Sequence, residues 1–311
     1  MEKKGKVLLS TSLGYQVHLS DGNNIIAPRR KNLDIRKGNI IIGDIVSLDD
    51  NNQIFDISPR KNLMMRPRVA NIDMAGVIVS AKEPSFSTFL LDKYLTSCSQ
   101  GNVPSFIIIS KWDIASSDEK SKINIFLKYY EKLGYSIFKT SKNNPDEDEK
   151  IRKKVKGKVS IFMGQTGVGK SSLINRLDQN FNRAIGNEVV LGRGEHKTKE
   201  VAFLPFLGGY LGDTPGFSDF SLTLSKDQLA LDFPGFFDYS QECKFKGCLH
   251  NNIKGCAVQQ QENVQKAQQA VNDDNLSLDS YNNYLKLLEE ASSDNGFEKK
   301  SSHKEWGRKT K

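Results

Sequence analysis

Eight consecutive residues, GQTGVGKS at positions 164–171, constrain the fold of this chain more than any other feature. They match the phosphate-loop pattern G-x-x-x-x-G-K-[ST], in which backbone N–H groups turn around a polyphosphate. The flanks fit as well, because residues 159–163 form an apolar run suited to a buried strand and residues 172–177 have helical spacing. Strand, glycine-rich loop and helix are the context that the motif requires, so the sequence predicts a nucleotide site.

Within this loop, Lys170 is expected to reach the outer phosphates and to offset their charge during catalysis, while the Ser171 hydroxyl binds Mg²⁺. The alternative is a glycine-rich turn that matches the pattern by accident. The predicted nucleotide-binding residues of the loop and the following position are Gly164, Gln165, Thr166, Gly167, Val168, Gly169, Lys170, Ser171 and Ser172.

Composition limits the class of protein. The 311 residues allow two or three domains, and no apolar run approaches the roughly 20 residues of a membrane helix. The first apolar run is too short for a secretory signal, so we expect a cytoplasmic protein without a membrane partner. The net charge of +8 favours a polyanionic partner such as nucleic acid, although a lysine-rich surface alone would also explain it.

The pattern of apolar and polar residues along the chain predicts three parts and a multidomain α/β fold. Residues 1–66 carry five short strand patterns, which suit an OB-type β-barrel that binds RNA. Residues 67–225 alternate apolar runs with helical patterns, as in an α/β domain, and the polar stretch 141–156 within them is expected to be an exposed connector. Residues 226–311 are expected to form a zinc-knuckle and helical domain that ends in a basic tail, either an RNA-touching arm or a solubilising end.

Two further segments complete the predicted nucleotide site. Asp213 and Gly216 form a D-x-x-G pattern after a strand, where the carboxylate can hold Mg²⁺ through water and the glycine amide can face the γ-phosphate. The base is expected to bind residues 110–113, which follow another apolar strand, because a carboxylate there accepts both guanine N–H groups. These residues are Ser110, Lys111, Trp112 and Asp113, with serine where the usual N-K-x-D pattern has asparagine.

Three of the four cysteines lie close together in the C-terminal part. Cys243, Cys248, His250 and Cys256 supply three thiolates and one imidazole within fourteen positions. A Cys₃His set is a closed tetrahedral group for one structural zinc ion, with no position left for a catalytic water. The alternative is four reduced residues that lie close together by chance.

The order of these motifs indicates a circular permutation, because the base-binding residues precede the phosphate loop, whereas they follow it in ordinary Ras-like GTPases. With the N-terminal barrel and the cysteine–histidine cluster, the chain closely resembles the ribosome-small-subunit-dependent GTPase A family. The resemblance implies a hydrolase of acid anhydrides that converts GTP to GDP and phosphate. It also implies stimulation by the small ribosomal subunit, with its 16S rRNA, during late subunit maturation, and we expect a monomer.

The position that often carries a water-positioning glutamine is Phe217 here, so another group must orient the attacking water. The resemblance assigns a catalytic role to His196, whose imidazole can orient or accept a proton from water near neutral pH. Thr198 would complete the Mg²⁺ shell and sense the γ-phosphate. Alternatives remain: His196 in a plain surface loop, a catalytic group on the ribosome, or a non-catalytic RNA-binding scaffold with a structural guanine-nucleotide site.

Overall fold

The computed structural model describes residues 3–31, 39–179, 181, 201–213, 224–260 and 276–293. The predicted site residues His196, Thr198 and Gly216 lie outside these ranges, as does Phe217. Asp213 is described as the last residue of a strand, without its side chain.

The N-terminal part is a five-stranded antiparallel sheet whose two edges approach each other. Its strands are β1 (Lys3–Thr11), β2 (Gly14–Leu19), β3 (Asn24–Ala27), β4 (Ile45–Leu48) and β5 (Ile54–Ile57). Their order is β3-β2-β1-β4-β5. The two edges meet where Ile54 donates its N–H to the Pro28 carbonyl at 2.9 Å and accepts from Arg30 at 2.9 Å. The five predicted strands are confirmed, and this closure fits the predicted OB-type barrel.

A short hairpin connects the barrel to the next part. Its strands are β6 (Leu63–Met65) and β7 (Arg68–Ala70). Val69 bridges to Ile42 of the barrel part, while Asn62, just before β6, donates its side-chain amide to the Ile72 carbonyl at 2.7 Å. The predicted boundary between residues 66 and 67 falls at the turn of this hairpin, and the domain boundaries stay a prediction.

The central part contains a six-stranded sheet that positions the phosphate loop. Its strands are β8 (Met74–Ser80), β9 (Ser105–Ser110), β10 (Ile137–Lys139), β11 (Val159–Met163), β12 (Ala202–Phe206) and β13 (Gly209–Asp213). The order is β10-β9-β8-β11-β13-β12, and all neighbours are parallel except β12 and β13. Every residue of β8 and β11 is buried, as expected for strands covered on both faces.

Helices α1 (Thr88–Gln100), α2 (Ser117–Lys132), α3 (Pro145–Val155) and α4 (Lys170–Leu177) accompany this sheet. Both of the first two begin at serine N-caps, and Ser116 forms a capping box with Glu119 at the start of α2. The predicted connector at 141–156 is wrong, because most of it is α3.

Helix α3 has little apolar surface, which explains the error. It buries Ile151 and Val155, one helical turn apart, and a buried carboxylate, Asp148, that accepts two hydrogen bonds from Arg176 of α4 at 2.6 and 3.1 Å. Proline at its first position and the acidic-to-basic charge gradient also favour the helix.

The C-terminal part packs against the central part. Its described helices are α5 (Lys226–Asp232), α6 (Phe236–Ser240) and α7 (Leu276–Ser293). The buried Asp92 carboxylate of α1 accepts hydrogen bonds from Tyr130 of α2 at 2.9 Å and from Ser280 and Asn283 of α7 at 3.1 and 2.8 Å. A buried acid of α1 that accepts from donors on two other helices fixes α7 on the central part.

Helix α7 fits the helical domain predicted for residues 226–311, of which residues 261–275 and 294–311 lie outside the described part of the chain. Among the helices that the structure describes, none combines the length and apolar character needed to cross a membrane.

Candidate nucleotide site and metal centre

The phosphate loop is shaped by backbone conformations that glycine allows. Gly167 and Gly169 have φ angles of +84° and +88°, in the region that L side chains rarely adopt. A Cβ atom on Gly164 would lie 2.5 Å from the carbonyl oxygen of Ile78 in β8, so the loop can start where it does only without a side chain there. Between the glycines, Val168 is buried and anchors the loop to the core, while Ser171 is exposed at the start of α4.

The predicted base-binding residues lie beside this loop. They follow β9, whose carboxyl end faces the same edge of the parallel sheet as that of β11. The Lys111 Cε atom is 4.0 Å from the position of a Cβ on Gly169, so the lysine stem lies over the phosphate loop. Its Nζ donates to the carbonyl oxygen of Glu83. Asp113 is exposed, and its carboxylate can therefore be reached by a ligand.

Ser110 joins the two loops. Its side chain is buried, and its Oγ donates a hydrogen bond of 2.5 Å to the carbonyl oxygen of Val168. The serine that replaces the usual asparagine therefore contacts the phosphate-loop backbone directly. This bond links the predicted base-binding residues to the phosphate loop.

Trp112 lies among basic side chains at the same edge. The ammonium groups of Lys139 and Lys120 lie 5.1 and 5.9 Å from the centre of its ring, within the range of a cation–π contact. The backbone N–H of Trp112 donates to the carbonyl of Thr140 at 3.1 Å, so the segment after β10 adjoins the predicted base-binding residues.

One neighbour of the phosphate loop was not assigned to the site from the sequence. Pro84 follows β8, and its Cδ lies 3.8 Å from the position of a Cβ on Gly167. Lys82, in the same turn, pairs with Glu119 of α2 at 3.4 Å. The sequence could have indicated this neighbour, because any turn after a central parallel strand lies at the ligand-binding edge of such a sheet.

The backbone places Asp213 near this edge too. Strand β13 is the parallel neighbour of β11, with Gly212 opposite Ile161, and it ends at Asp213. The described part of the chain thus brings together the phosphate loop, residues 110–113 and the end of β13. His196, Thr198 and Gly216 are not placed, since they lie outside it.

The four predicted metal ligands do meet. The ligand atoms of Cys243, Cys248, His250 and Cys256 all lie within 4.8 Å of one another. His250 Nδ1 is 3.6 Å from Cys243 Sγ and 3.4 Å from Cys256 Sγ, and these two sulfurs are 4.0 Å apart. A tetrahedral ion with Zn–S bonds of about 2.3 Å and Zn–N bonds of about 2.0 Å would separate its ligands by roughly 3.5–3.8 Å. The donor set and its spacing therefore fit a zinc-sized ion.

Hydrogen bonds from outside the cluster hold these ligands. His250 Nε2 lies 3.2 Å from the Ala230 carbonyl, and donation to this oxygen leaves Nδ1 facing the sulfurs as an acceptor. Tyr281 donates to the His250 carbonyl at 2.7 Å, and Tyr284 to the Leu249 carbonyl at 2.6 Å.

Burial favours the uncharged forms of these groups. It lowers the pKa of His250, which keeps the ring neutral and able to bind a metal, and raises the pKa of Cys256 to about 12. A buried thiolate at this position therefore needs a cation beside it.

The fold and the nucleotide site define a class of protein. The predicted base-binding residues after β9 precede the phosphate loop after β11 along the chain, yet both lie at one edge of a single sheet. This arrangement is that of a circularly permuted phosphate-loop GTPase.

Comparisons with known proteins agree. The RsgA GTPase family model matches residues 57–223. A Listeria monocytogenes protein described as small ribosomal subunit biogenesis GTPase RsgA 1 is 35% identical over 295 residues, which cover 92% of this chain and 97% of the relative. The relative described as small ribosomal subunit biogenesis GTPase RsgA in Mycoplasmopsis pulmonis is 36% identical over 263 residues, with 83% and 89% covered.

Solved structures are similar over almost the whole chain. YjeQ from Thermotoga maritima has a TM-score of 0.75 and 28% identity, with 94% of this chain and 99% of that chain covered. YloQ, described as a circularly permuted GTPase, has a TM-score of 0.70 and 30% identity, with 94% and 96% covered. The chain belongs to the RsgA GTPase family.

Proposed function

We propose that this protein hydrolyses GTP to GDP and phosphate on the small ribosomal subunit during late subunit maturation. The observation that carries the proposal is the junction at which Ser110 bonds the phosphate loop and Lys111 lies over Gly169. This junction supports the proposal, because residues 110–113, the proposed base-binding segment, adjoin the loop proposed to bind the phosphates. The relatives named as small ribosomal subunit biogenesis GTPases support the same function.

Guanine selection is assigned to Asp113. Its exposed carboxylate accepts the N1 and N2 hydrogens of guanine, which adenine does not offer, while the Lys111 stem covers the base. An ATPase with the same phosphate loop is disfavoured for this reason.

Hydrolysis is a transfer of the γ-phosphoryl group to water. The amides of residues 164–172 and Lys170 hold the phosphates and offset the charge that develops on the leaving diphosphate. Ser171 and Thr198 are the proposed Mg²⁺ ligands, Asp213 acts through water, and the Gly216 amide faces the γ-phosphate. Bound Mg²⁺ supplies additional positive charge at the phosphate oxygens.

Orientation of the attacking water is assigned to His196. The residue after the D-x-x-G pattern, Phe217, has no group that can hydrogen-bond water. An imidazole in the segment between the phosphate loop and Asp213 can do so near neutral pH.

The metal centre is assigned one structural zinc ion held by Cys243, Cys248, His250 and Cys256. Four protein ligands complete a tetrahedral shell, so the ion stabilises the fold and takes no part in hydrolysis. The partner RNA is 16S rRNA, which the net charge of +8 would attract, and the protein is proposed to act as a cytoplasmic monomer.

Replacement of Lys170 tests the enzymatic proposal. Lys170→Ala should lower GTP turnover by at least about 10²-fold, the usual cost of losing one preorganised charge-stabilising group. Lys156→Ala, at an exposed lysine after α3, is the matched control and should keep full turnover. A non-catalytic scaffold predicts no turnover in the unaltered protein, and unchanged turnover in Lys170→Ala would place the active site elsewhere.

A further inference from the structure

The loop between the first two metal ligands presents an aromatic side chain to solvent. Phe245 is 53% exposed, although most phenylalanines in the described part of the chain are buried or half-buried. The ligands Cys243 and Cys248 fix the two ends of this loop, and the Lys244 N–H bonds the Gly255 carbonyl at 3.1 Å. The aromatic ring therefore stands on a segment that the metal cluster holds in place.

Basic residues lie close to Phe245 in the sequence, and one of them lies over its ring. Lys244 and Lys246 flank it in sequence and are exposed, and the Lys244 ammonium lies 5.5 Å from the ring centre. Lys254, beside Gly255, is a third exposed lysine. Residues 242–255 therefore carry three lysines and only one carboxylate, that of Glu242. An exposed ring among ammonium groups suits a ligand that has both a flat apolar face and negative charge.

Single exposed apolar side chains are common on protein surfaces and need no explanation by themselves. Phe245 differs because it lies on the loop between two predicted metal ligands and is flanked in sequence by two exposed lysines, one of them over its ring. Unpaired bases in RNA have the complementary chemistry, since they stack on aromatic rings while their phosphates bind cations. Double-stranded RNA does not, because its bases are already stacked on one another.

We propose that Phe245 is a base-stacking residue that binds an unpaired nucleotide of RNA, with Lys244, Lys246 and Lys254 contacting the neighbouring phosphates. The inference rests on the proposed ribosomal function for the identity of the RNA, but the stacking itself does not. It predicts that the metal centre serves recognition by orienting this ring, beyond stabilising the C-terminal part.

Binding of fluorescein-labelled RNA to the full chain, measured by anisotropy, tests the proposal. Phe245→Ala should weaken binding of a single-stranded 12-nucleotide oligoadenylate by about five- to 150-fold, the usual range for loss of one base–aromatic stack. Binding of a 12-base-pair RNA duplex should change by less than about twofold. Phe245→Trp should retain the single-strand affinity, whereas Phe245→Leu, which is apolar but not aromatic, should lose it.

A matched control is available in the same part of the chain. Phe237 is 51% exposed and has no lysine beside it in the sequence, so Phe237→Ala should leave both affinities unchanged. Zinc content of about one equivalent in every variant shows that the loop is still folded.

Single-strand affinity that is equal in Phe245→Ala and the unaltered protein overturns the proposal, and so does an equal loss in Phe237→Ala. Stimulation of GTP turnover by small ribosomal subunits is measured on the same unaltered protein. If that stimulation is present while Phe245→Ala binds RNA normally, the base-stacking inference fails and the proposed function stands.

Discussion

The nucleotide site and the metal centre are built in opposite ways. In the proposed metal centre, side chains would do the binding, and their ligand atoms already lie within 4.8 Å of one another among mostly buried residues. In the proposed nucleotide site, the backbone of a glycine-rich loop would do much of the binding, while Ser171 and Asp113 are exposed to solvent. The first site is suited to hold one ion permanently, and the second to bind and release a substrate.

The two sites also differ in what they are proposed to need. The four predicted metal ligands meet within the described part of the chain, and a Cys₃His set completes a tetrahedral shell by itself. Hydrolysis is proposed to need the small ribosomal subunit as well, because Phe217 cannot orient the attacking water. Four substitutions test this contrast.

The largest effect is expected at the metal centre. Cys256→Ala removes one of four ligands, and structural zinc sites contribute about 10–16 kcal/mol of apparent folding free energy in small zinc domains at neutral pH. Zinc should fall from about one equivalent to none, and limited proteolysis should cut the C-terminal part. Cys98→Ala is the control, because Cys98 is equally buried but packs against Met163, with the sulfurs 3.7 Å apart. A Cys256→Ala protein that stays fully folded without metal would contradict the structural role.

The next effect concerns catalysis. His196→Ala should bind GTP and small subunits almost normally, yet lose about 10²–10⁴-fold of subunit-stimulated turnover, the usual contribution of a general base or water-orienting group. Single-turnover phosphate release with saturating subunits measures the loss. Full stimulated activity in this variant would mean that the catalytic group lies elsewhere, most simply on the ribosome.

A smaller effect is expected in base selection. Asp113→Asn should weaken GTP binding at least about tenfold, since two charge-assisted hydrogen bonds are lost, and should improve binding of xanthosine triphosphate. Asp118→Asn, at another exposed carboxylate at the start of α2, should change neither. The comparison is made by titration of labelled nucleotides. Retention of normal GTP affinity by Asp113→Asn would remove this carboxylate from the site.

The smallest effect is expected at the bond between the two loops. Ser110→Ala loses the hydrogen bond to Val168 and should weaken GTP binding by about two- to tenfold, the net value of one buried hydrogen bond. Ser110→Cys introduces a side chain of similar size that is a weak hydrogen-bond donor. Its GTP affinity should lie between those of the unaltered protein and Ser110→Ala. Equal affinity in all three proteins would show that the bond does not position the base-binding residues.

Both sites were predictable from the sequence because their motifs are short and local. The strand–loop–helix at 159–177 and the Cys₃His spacing each specify chemistry within about twenty residues. The hydrogen bonds that hold these sites in place were not predictable, because they join residues that are distant in the chain. Ala230 and Tyr281 hold the His250 ring and backbone from other helices, and Ser110 reaches Val168 across 58 positions.

The same reason explains the errors and omissions in the fold. Helix α3 has two buried apolar residues, too few for a clear periodic pattern, and its Asp148 becomes buried through Arg176 of another helix. Each strand of the β6–β7 hairpin has only three residues, and the hairpin packs against both the N-terminal and the central part. Short elements of this kind depend on tertiary contacts rather than on local pattern.

The most direct test of the central claim is steady-state phosphate release with GTP or ATP, in the presence and absence of purified small ribosomal subunits. The proposed function predicts slow hydrolysis of GTP by the protein alone, a strong increase on addition of small subunits, and no comparable hydrolysis of ATP. The increase should diminish as salt is raised, because contacts to RNA phosphates release counterions. Turnover of GTP that small subunits leave unchanged, or equal turnover of ATP, would contradict it.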